Sequence, residues 1–264
     1  MGDFRNSLFG TERLDGVSVA RGIFLESPRE GAWARLRIEL PPVNVLGVQD
    51  LELISRRVRE PHDRPVLLVS GLPKAFSAGV DMADHAPDPD AIERMLAAMR
   101  SLLESLVETP AITVAAVSGA CLGGGAEIAA ACDLVFVAED ARIGFPEIRL
   151  GCFPPAGVAL LPGRIGSARA SEWILTGRTY SGREAAEAGF AARSLAADQV
   201  DSHAERTASE LACLGRTALG AARDLLRQDR REALAKALPR AEEAYRRLAG
   251  SKDLARAVEK FKKN

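Results

Sequence analysis

The chain of 264 residues is long enough for one large α/β domain with a full hydrophobic core, and one domain is the expected organisation. Lys and Arg number 35 against 36 Asp and Glu, so the net charge of −1 gives no overall reason to expect a nucleic-acid or membrane partner. The four cysteines have no CxxC spacing and no histidine companions. They therefore suggest neither a zinc site nor a disulfide framework, which fits a reducing cytoplasm.

Charge is unevenly distributed along the chain. Residues 214–264 hold 14 Lys or Arg and 7 Asp or Glu, a local charge of +7, which leaves −8 for the rest. The N-terminal segment carries charges of both signs without an uninterrupted apolar stretch, so it is not expected to be a secretory signal. The most apolar stretch, residues 111–132, is interrupted by Gly123, Gly124, Gly125 and Glu127, so we expect buried secondary structure there rather than a membrane span.

The first part of the chain predicts strands, two helices and a loop. Residues 17–40 alternate apolar and polar side chains around a turn, which predicts two or three antiparallel strands. Residues 48–59 have helical spacing, and residues 65–70 form a short apolar run typical of a strand buried on both faces. We expect a loop at 71–85, followed by an amphipathic helix at 91–107.

The next part alternates between strand, loop and helix. Residues 112–117 predict a second buried strand, which leads through a glycine turn to a short helix at 126–131 and a strand at 134–138. This alternation is typical of a layered α/β fold. From Ser167 onward the pattern is mostly helical, with Ser181 as the expected N-cap of one helix.

Two loops that follow predicted buried strands are candidate ligand sites. In residues 74–81 the small side chains of Ser77, Ala78 and Gly79 would let a ligand approach the backbone, although an ordinary glycine turn is an equal alternative. In residues 121–127 three glycines open a helix and leave bare N–H groups at the positive end of its dipole. Such a turn suits a developing oxyanion, and a phosphate cradle is the rival interpretation, but the Lys-Ser/Thr pair of a P-loop is absent.

Two carboxylates follow these loops. Glu127, in the first turn of the glycine-led helix, could simply complement the helix dipole, and Glu147, after a proline, could be a surface charge in a turn. Together the two carboxylates indicate a catalytic site, because a general acid or base is needed beside an oxyanion hole.

Four segments resemble the successive signatures of the enoyl-CoA hydratase/isomerase family, also called the crotonase family. In order they are FSAGVD (76–81), SGACLGGGAEIAAACD (118–133), ARIGFPEIRLG (141–151) and ILTGRTYSGREAAEAGFA (174–191). The resemblance covers about residues 41–191, and the charged helical tail is similar to the family's C-terminal trimerisation helices. It implies an α/β fold built as a spiral of ββα units, with a crotonase core at 1–191 that carries the acyl-CoA site and a helical C-terminal region at 192–264.

The resemblance also implies roles for particular residues. The two oxyanion N–H groups fall on Val80 and Gly124, and the two glutamates of the hydratases fall on Glu127 and Glu147. Contacts to coenzyme A and the acyl group are expected from Ala78, Asp81, Gly123 and Pro155, with the carbonyl of Ala78 near the adenine.

The chain departs from the family pattern in two places. Ala83 stands where many members have a lysine, so one contact to the coenzyme is expected to be missing or supplied by another residue. Pro154 and Pro155 stand where common short-chain hydratases have a glycine-rich PGxGG. The resulting GCFPP is similar to the hydratases that act on cyclic dienoyl-CoA thioesters in anaerobic aromatic degradation.

The resemblance thus predicts a cytoplasmic enoyl-CoA hydratase that adds water across a conjugated C=C, with an acyl-CoA substrate, no separate cofactor and no metal. A homotrimer or a dimer of trimers is the expected assembly, and no nucleic-acid or membrane partner is expected. An isomerase and a decarboxylase, dehalogenase or ring-opening hydrolase on the same scaffold are the alternatives within the family. The alternative of another class is a non-catalytic acyl-CoA-binding or RNA-binding protein, for which the +7 tail is the supporting feature.

Overall fold

The structure, a computed structural model, describes residues 22–27, 32–60, 63–81, 88–248 and 251–256. Residues 17–21 of the predicted first strand and Ala83 lie outside the described residues.

Within the described residues the chain forms twelve strands. They are β1 (Ile23–Glu26), β2 (Ala34–Ile38), β3 (Val45–Leu46), β4 (Val66–Ser70), β5 (Ala75–Ser77), β6 (Gly79–Val80), β7 (Ile112–Val117), β8 (Ala120–Leu122), β9 (Leu134–Ala138), β10 (Arg142–Gly144), β11 (Thr179–Ser181) and β12 (Arg193–Leu195).

Residues 252–256 are helical, and ten further α-helices lie within the described part of residues 48–246. They are α1 (Val48–Arg59), α2 (Pro89–Glu108), α3 (Gly124–Ala131), α4 (Pro155–Ile165), α5 (Ser167–Thr176), α6 (Gly182–Ala188), α7 (Val200–Ala212), α8 (Arg216–Leu226), α9 (Gln228–Glu232) and α10 (Leu238–Arg246). A 3₁₀ turn at Pro146–Leu150 and a π-helical turn at Ala233–Ala237 are the irregular pieces that matter below.

A six-stranded sheet in the order β1-β2-β4-β7-β9-β12 forms the central layer. Strands β1 and β2 pair antiparallel, as predicted, and the other four pairings are parallel. Every residue of β4 and β7 is buried, because helices cover both faces of a parallel sheet and leave no position for a polar side chain facing water. The predicted strands and the layered α/β architecture are confirmed.

The predicted loop at 71–85 is wrong in part. It contains the short strands β5 and β6, which belong to two smaller sheets, in the orders β11-β10-β8-β5 and β3-β6. Each of these strands has only two or three residues, too few for an alternating pattern to appear in the sequence. Residues 82–87 of the predicted loop lie outside the described residues.

The predicted helices are confirmed with small changes at their ends. The helix expected at 48–59 has those bounds, and the glycine-led helix begins two residues earlier than predicted, at Gly124. Ser181 caps α6 as predicted, through a reciprocal pair of hydrogen bonds with Glu184.

The region after residue 191 begins on the central sheet. Strand β12 extends that sheet, and α7 packs its buried residues Val200, Ala204 and Ala208 against it. Helices α9 and α10 then pack against α2 and α4. The division at residue 191 stays a prediction.

Much of the positive charge of the C-terminal region is neutralised by the acidic remainder of the chain. Among the described residues, five arginines of this region pair with carboxylates of the remainder. Three of these pairs have N–O distances of 2.7, 3.0 and 2.6 Å: Arg216 with Asp63, Arg231 with Glu108, and Arg246 with Glu93. The local excess of +7 therefore serves in part to dock the tail on its own core.

One of the other two arginines is fully buried. The side chain of Arg227 is 0% exposed and donates from Nε to Asp133 at 2.8 Å, while its Nη atoms donate to the carbonyls of Val107, Thr109 and Ala111. Arg230 also pairs with Asp133. A guanidinium can be buried without a large penalty only when its donors are satisfied in this way.

Candidate active site

All eight residues predicted for the site line one cavity of about 590 Å³. They are Ala78, Val80, Asp81, Gly123, Gly124, Glu127, Glu147 and Pro155. A larger groove of about 860 Å³ lies between α1, α2 and residues 231–235, and none of the predicted residues lines it. The chemistry therefore points to the smaller cavity, which is of a size that suits a small-molecule ligand.

The loop before Asp81 is fixed by a buried asparagine that the sequence did not single out. Asn44, with φ 54°, donates from Nδ2 to the carbonyls of Ile38, Ala75 and Phe76 at 2.9 to 3.0 Å. The hydroxyl of Ser77 donates to the carbonyl of Asn44 at 2.8 Å and accepts from the N–H of Gly79 at 3.1 Å. These bonds hold the backbone on which Val80 is presented to the cavity.

The glycine turn lies directly against this loop. Gly124 is the first residue of α3, where helical N–H groups have no partner within the helix. A Cβ on Gly124 would lie 3.5 Å from the backbone nitrogen of Val80 and only 2.7 Å from the side chains of Met99 and Val80. The two backbones therefore meet across a gap that only a glycine leaves open, as a two-donor oxyanion hole requires.

Glu127 lies one turn into α3 and is 4% exposed. Its Oε1 accepts a hydrogen bond of 2.8 Å from the backbone N–H of Gly157. Burial raises the pKa of Glu127 to about 7, and the N–H groups of Gly157 and Ala156 oppose that rise because they stabilise the charged form.

Glu147 reaches the same cavity from the 3₁₀ turn Pro146–Leu150. Its Oε2 is buried without a hydrogen-bond partner in the described part of the chain, and a Cβ on Gly123 would lie 2.5 Å from its Oε1. Gly123, with φ 52°, therefore makes room for this carboxyl. Burial first, and the charge of Glu127 second, raise the pKa of Glu147 to about 8.

The two glutamates form a coupled pair. Because burial raises the pKa of both carboxyls and the charge of Glu127 disfavours ionisation of Glu147, the pair holds about one proton near neutral pH. One cavity thus offers a carboxylate and a carboxylic acid at the same time, beside the backbone of Val80 and Gly124. This combination can abstract a proton at one centre and deliver one at another.

Comparison with known proteins agrees with this geometry. The family model for enoyl-CoA hydratase/isomerase matches residues 51–264. The chain belongs to the enoyl-CoA hydratase/isomerase family. The predicted membership is confirmed, and with it the crotonase-type fold.

Two relatives and one solved structure illustrate this similarity. The chain is 38% identical over 160 residues to the cyclohexa-1,5-dienecarbonyl-CoA hydratase of Thauera aromatica, an alignment that spans 59% of this chain and 61% of that protein. It is 35% identical over 202 residues to a probable enoyl-CoA hydratase of Mycobacterium leprae, across 74% of this chain and 77% of that one. Its fold matches the crystal structure of an enoyl-CoA hydratase/isomerase from Xanthobacter autotrophicus Py2 with a TM-score of 0.83 and 28% identity, covering 92% and 93% of the two chains.

Pro154 and Pro155 have a local role in this member of the family. Pro155 is the first residue of α4, where a missing N–H costs nothing because that group has no helical partner. The next two residues of the helix, Ala156 and Gly157, supply the N–H groups that hold Glu127. The two prolines also line the cavity, so this wall is both rigid and tied to a glutamate.

The sequence did not identify the cavity residues that come from α2 and α10. Met95, Met99 and Arg100 of α2 and Leu238, Glu242 and Tyr245 of α10 complete the lining. Arg100 donates from Nε to the buried carboxylate of Glu242 at 2.9 Å, which clamps α10 against α2 over the cavity. A signal was present in the tail, because Leu238, Ala241 and Tyr245 follow helical spacing and form the buried face of α10.

Two further classes of site were sought in the described residues. No group of three or more His, Cys, Asp or Glu side chains there is arranged to hold a metal ion. Among the helices of the described part, none is both long and apolar enough to span a membrane.

Proposed function

We propose that this protein is an enoyl-CoA hydratase that adds water across the conjugated C=C of an acyl-CoA thioester, and that its acyl group is a cyclic diene. The observation that carries the activity is the pair of buried glutamates, Glu127 and Glu147, in one cavity with the backbone of Val80 and Gly124. The relatives named as hydratases support the same activity.

The reaction needs three things from these residues. The N–H groups of Val80 and Gly124 bind the thioester oxygen and stabilise the enolate that forms when water adds to the β-carbon. One glutamate takes a proton from the water, and the other gives a proton to the α-carbon as the enolate collapses. The net change breaks one O–H bond of water and the π bond of the alkene, and forms a C–O bond at the β-carbon and a C–H bond at the α-carbon. The two glutamates together still hold one proton, which now lies on the one that acted as base.

Hydration is favoured over double-bond isomerisation by the presence of both carboxyls. An isomerase moves one proton between two carbons of the same substrate and needs a single acid–base group. Here Glu127 and Glu147 are both buried in the cavity with raised pKa values, and burying a second carboxyl has a cost that a single-base reaction would not require.

A cyclic acyl group is supported by the shape of the wall at Phe153, Pro154 and Pro155. Two adjacent prolines fix the backbone and remove two N–H donors, so this wall is stiffer and drier than a glycine-rich one. A flat ring loses less conformational entropy on binding to such a wall than a flexible chain does. The relative from Thauera aromatica carries the name of a hydratase for a cyclic diene, which agrees with this interpretation.

The test is a comparison of thioesters. Initial rates with cyclohexa-1,5-diene-1-carbonyl-CoA and with crotonyl-CoA are followed by the loss of conjugated-thioester absorbance. The proposal predicts a higher kcat/KM for the cyclic compound. If crotonyl-CoA is the better substrate by about tenfold, a general short-chain hydratase remains, and if both bind without turnover the hydratase assignment fails.

We further propose that the chain assembles as a homotrimer or a dimer of trimers in the cytoplasm, with the acyl-CoA substrate held by Ala78, Asp81, Gly123 and Pro155. Helix α8 supports association, because it has no buried residue and leaves Leu225 and Leu226 largely exposed in the single chain. Sedimentation equilibrium measures the assembly directly, and a monomer at micromolar concentration would contradict it.

A further inference from the structure

A small apolar cluster separate from the main core lies beside the cavity. Its buried members come from four parts of the chain: Ile92, Met95 and Leu96 of α2, Cys152 after the Glu147 turn, Tyr245 of α10, and Leu254 of the 251–256 segment. The cluster therefore joins the C-terminal region to the turn that carries a glutamate of the site.

Polar contacts within this cluster run toward Glu147. The hydroxyl of Tyr245 interacts with the thiol of Cys152, and that thiol donates from Sγ to the carbonyl oxygen of Glu147 at 3.5 Å. The backbone N–H of Cys152 donates to the same carbonyl at 3.1 Å. Two donors of Cys152 thus converge on the carbonyl of Glu147, and one of them, the thiol, lies in the same cluster as a side chain of α10.

The ring of Tyr245 is held firmly in this position. It is 1% exposed and packs edge-on against Phe153, with ring centroids 5.5 Å apart. Helix α10 is fixed to α2 by the Arg100–Glu242 pair and by Arg246, whose Nε lies 2.6 Å from Glu93. The hydroxyl is therefore presented to Cys152 from a rigid support.

The 251–256 segment abuts the same turn. A Cβ on Gly151, the residue that ends the 3₁₀ turn, would lie 2.9 Å from the backbone of Asp253. Leu254 is fully buried in the cluster. The 251–256 segment thus packs against the C-terminal end of this turn.

We propose that Tyr245 and Cys152 are positioning residues, which hold the Pro146–Leu150 turn so that the carboxyl of Glu147 stays buried and aimed into the cavity. This inference rests on the proposed function for its effect on catalysis, and on geometry alone for its effect on Glu147. A direct proton-transfer role for either group is disfavoured, because burial raises the pKa of Cys152 to about 12 and that of Tyr245 further above its ordinary range, which keeps both protonated at neutral pH.

The chain offers a matched control for the tyrosine. It has two tyrosines, and Tyr180 is also buried, stacked on Trp173 with centroids 4.3 Å apart, but it does not line the cavity. Tyr245→Phe and Tyr180→Phe each remove one hydroxyl and keep the ring. For the thiol, Cys152→Ser keeps a donor and Cys152→Ala removes it.

Two readouts distinguish a positioning role from a loss of stability. The first is the pH midpoint of the protonated-carboxyl infrared band that disappears in Glu147→Gln, which requires no substrate. The groups that face this carboxyl are Glu127 from α3, Cys152 and Tyr245, and of these only Glu127 changes charge in the same pH range. The second readout is kcat and KM for hydration, with thermal unfolding measured on every variant.

In Tyr245→Phe and Cys152→Ala we expect the midpoint to fall by about one pH unit, because a loosened turn lets water reach a carboxyl whose pKa is raised mainly by burial. We expect kcat to fall about tenfold with KM nearly unchanged, the effect of a misplaced acid–base group. Cys152→Ser should restore most of the parent values. Tyr180→Phe should change neither readout.

An unchanged midpoint in Tyr245→Phe, or an equal fall in Tyr180→Phe, overturns the positioning role. If the parent protein hydrates no thioester, the proposed function fails, and the infrared midpoint still decides the positioning role by itself.

Discussion

The pH dependence of hydration is expected to be bell-shaped, because both cavity glutamates have raised pKa values. Burial raises the pKa of Glu127 to about 7, and burial with the charge of Glu127 raises that of Glu147 to about 8. Hydration needs one carboxylate as base and one carboxylic acid as donor, so the singly protonated pair is the active form.

The size of the effect follows from these values. With apparent pKa values near 7 and 8, the pair is singly protonated in about 60% of molecules at pH 7.5 and in about 3% at pH 5.5 or 9.5. We therefore expect kcat/KM to fall roughly 20-fold on either side of the maximum. Initial rates of absorbance loss at constant ionic strength measure the profile. A flat profile across this range would refute the claim that both glutamates take part.

The raised pKa of Glu147 also predicts the sign of an effect on stability. A carboxyl whose pKa is higher in the folded than in the unfolded chain stabilises the fold fully below about 4.5, and this contribution is lost as the pH rises through about 8. Glu147→Gln cannot ionise, so its free energy of unfolding relative to the parent should increase from about pH 5 to about pH 9. The increase is at most roughly 5 kcal/mol, since each pKa unit corresponds to about 1.4 kcal/mol. Urea unfolding of both proteins at the two pH values tests this. An equal difference in the free energy of unfolding at both pH values would show that burial does not raise the pKa of Glu147.

Three substitutions at other positions have defined expected outcomes. Gly124→Val places a side chain against Val80, so activity and tight acyl-CoA binding should be lost together while the protein stays folded. The missing donor should lower the rate by about 10²–10³-fold. Normal binding and turnover in this variant would show that the enolate is not held at Gly124. Pro155→Gly should lower the preference for the cyclic thioester over crotonyl-CoA, measured as the ratio of the two kcat/KM values. An unchanged ratio would show that the proline wall does not cause this preference. Asp133→Ala leaves the buried guanidinium of Arg227 without its counter-charge and should lower the free energy of unfolding by roughly 3–5 kcal/mol in urea titrations. A loss below about 1 kcal/mol would show that the backbone carbonyls alone stabilise the buried guanidinium.

The site motifs could be predicted because they are local in sequence. Gly123 and Gly124 stand next to each other at the start of a helix, and glycines in that position, directly after a buried strand, indicate that something approaches the backbone closely. The sequence also located Glu127 correctly in the first turn of that helix. Its partner Glu147 could be identified only through the resemblance to the family, since a glutamate after a proline has many ordinary roles.

The helical walls of the cavity could not be predicted for a physical reason. Arg100 and Glu242 are 142 residues apart, and nothing in either helix alone shows that the two pair over a cavity. The positive charge of the C-terminal region could be read from the sequence, but its ion-pair partners could not, because Arg231 and Glu108 come together only in the folded chain. Contacts of this kind depend on tertiary packing rather than on local pattern.

Proton transfer by two glutamates to and from an enoyl thioester is best tested by removing each carboxyl separately. Glu127→Gln and Glu147→Gln keep the size and polarity of the side chain and remove its acid–base function. Each should lower kcat for hydration by about 10²-fold or more, with the Kd of the acyl-CoA product largely kept. Near-parent hydration by either variant would contradict the two-glutamate mechanism.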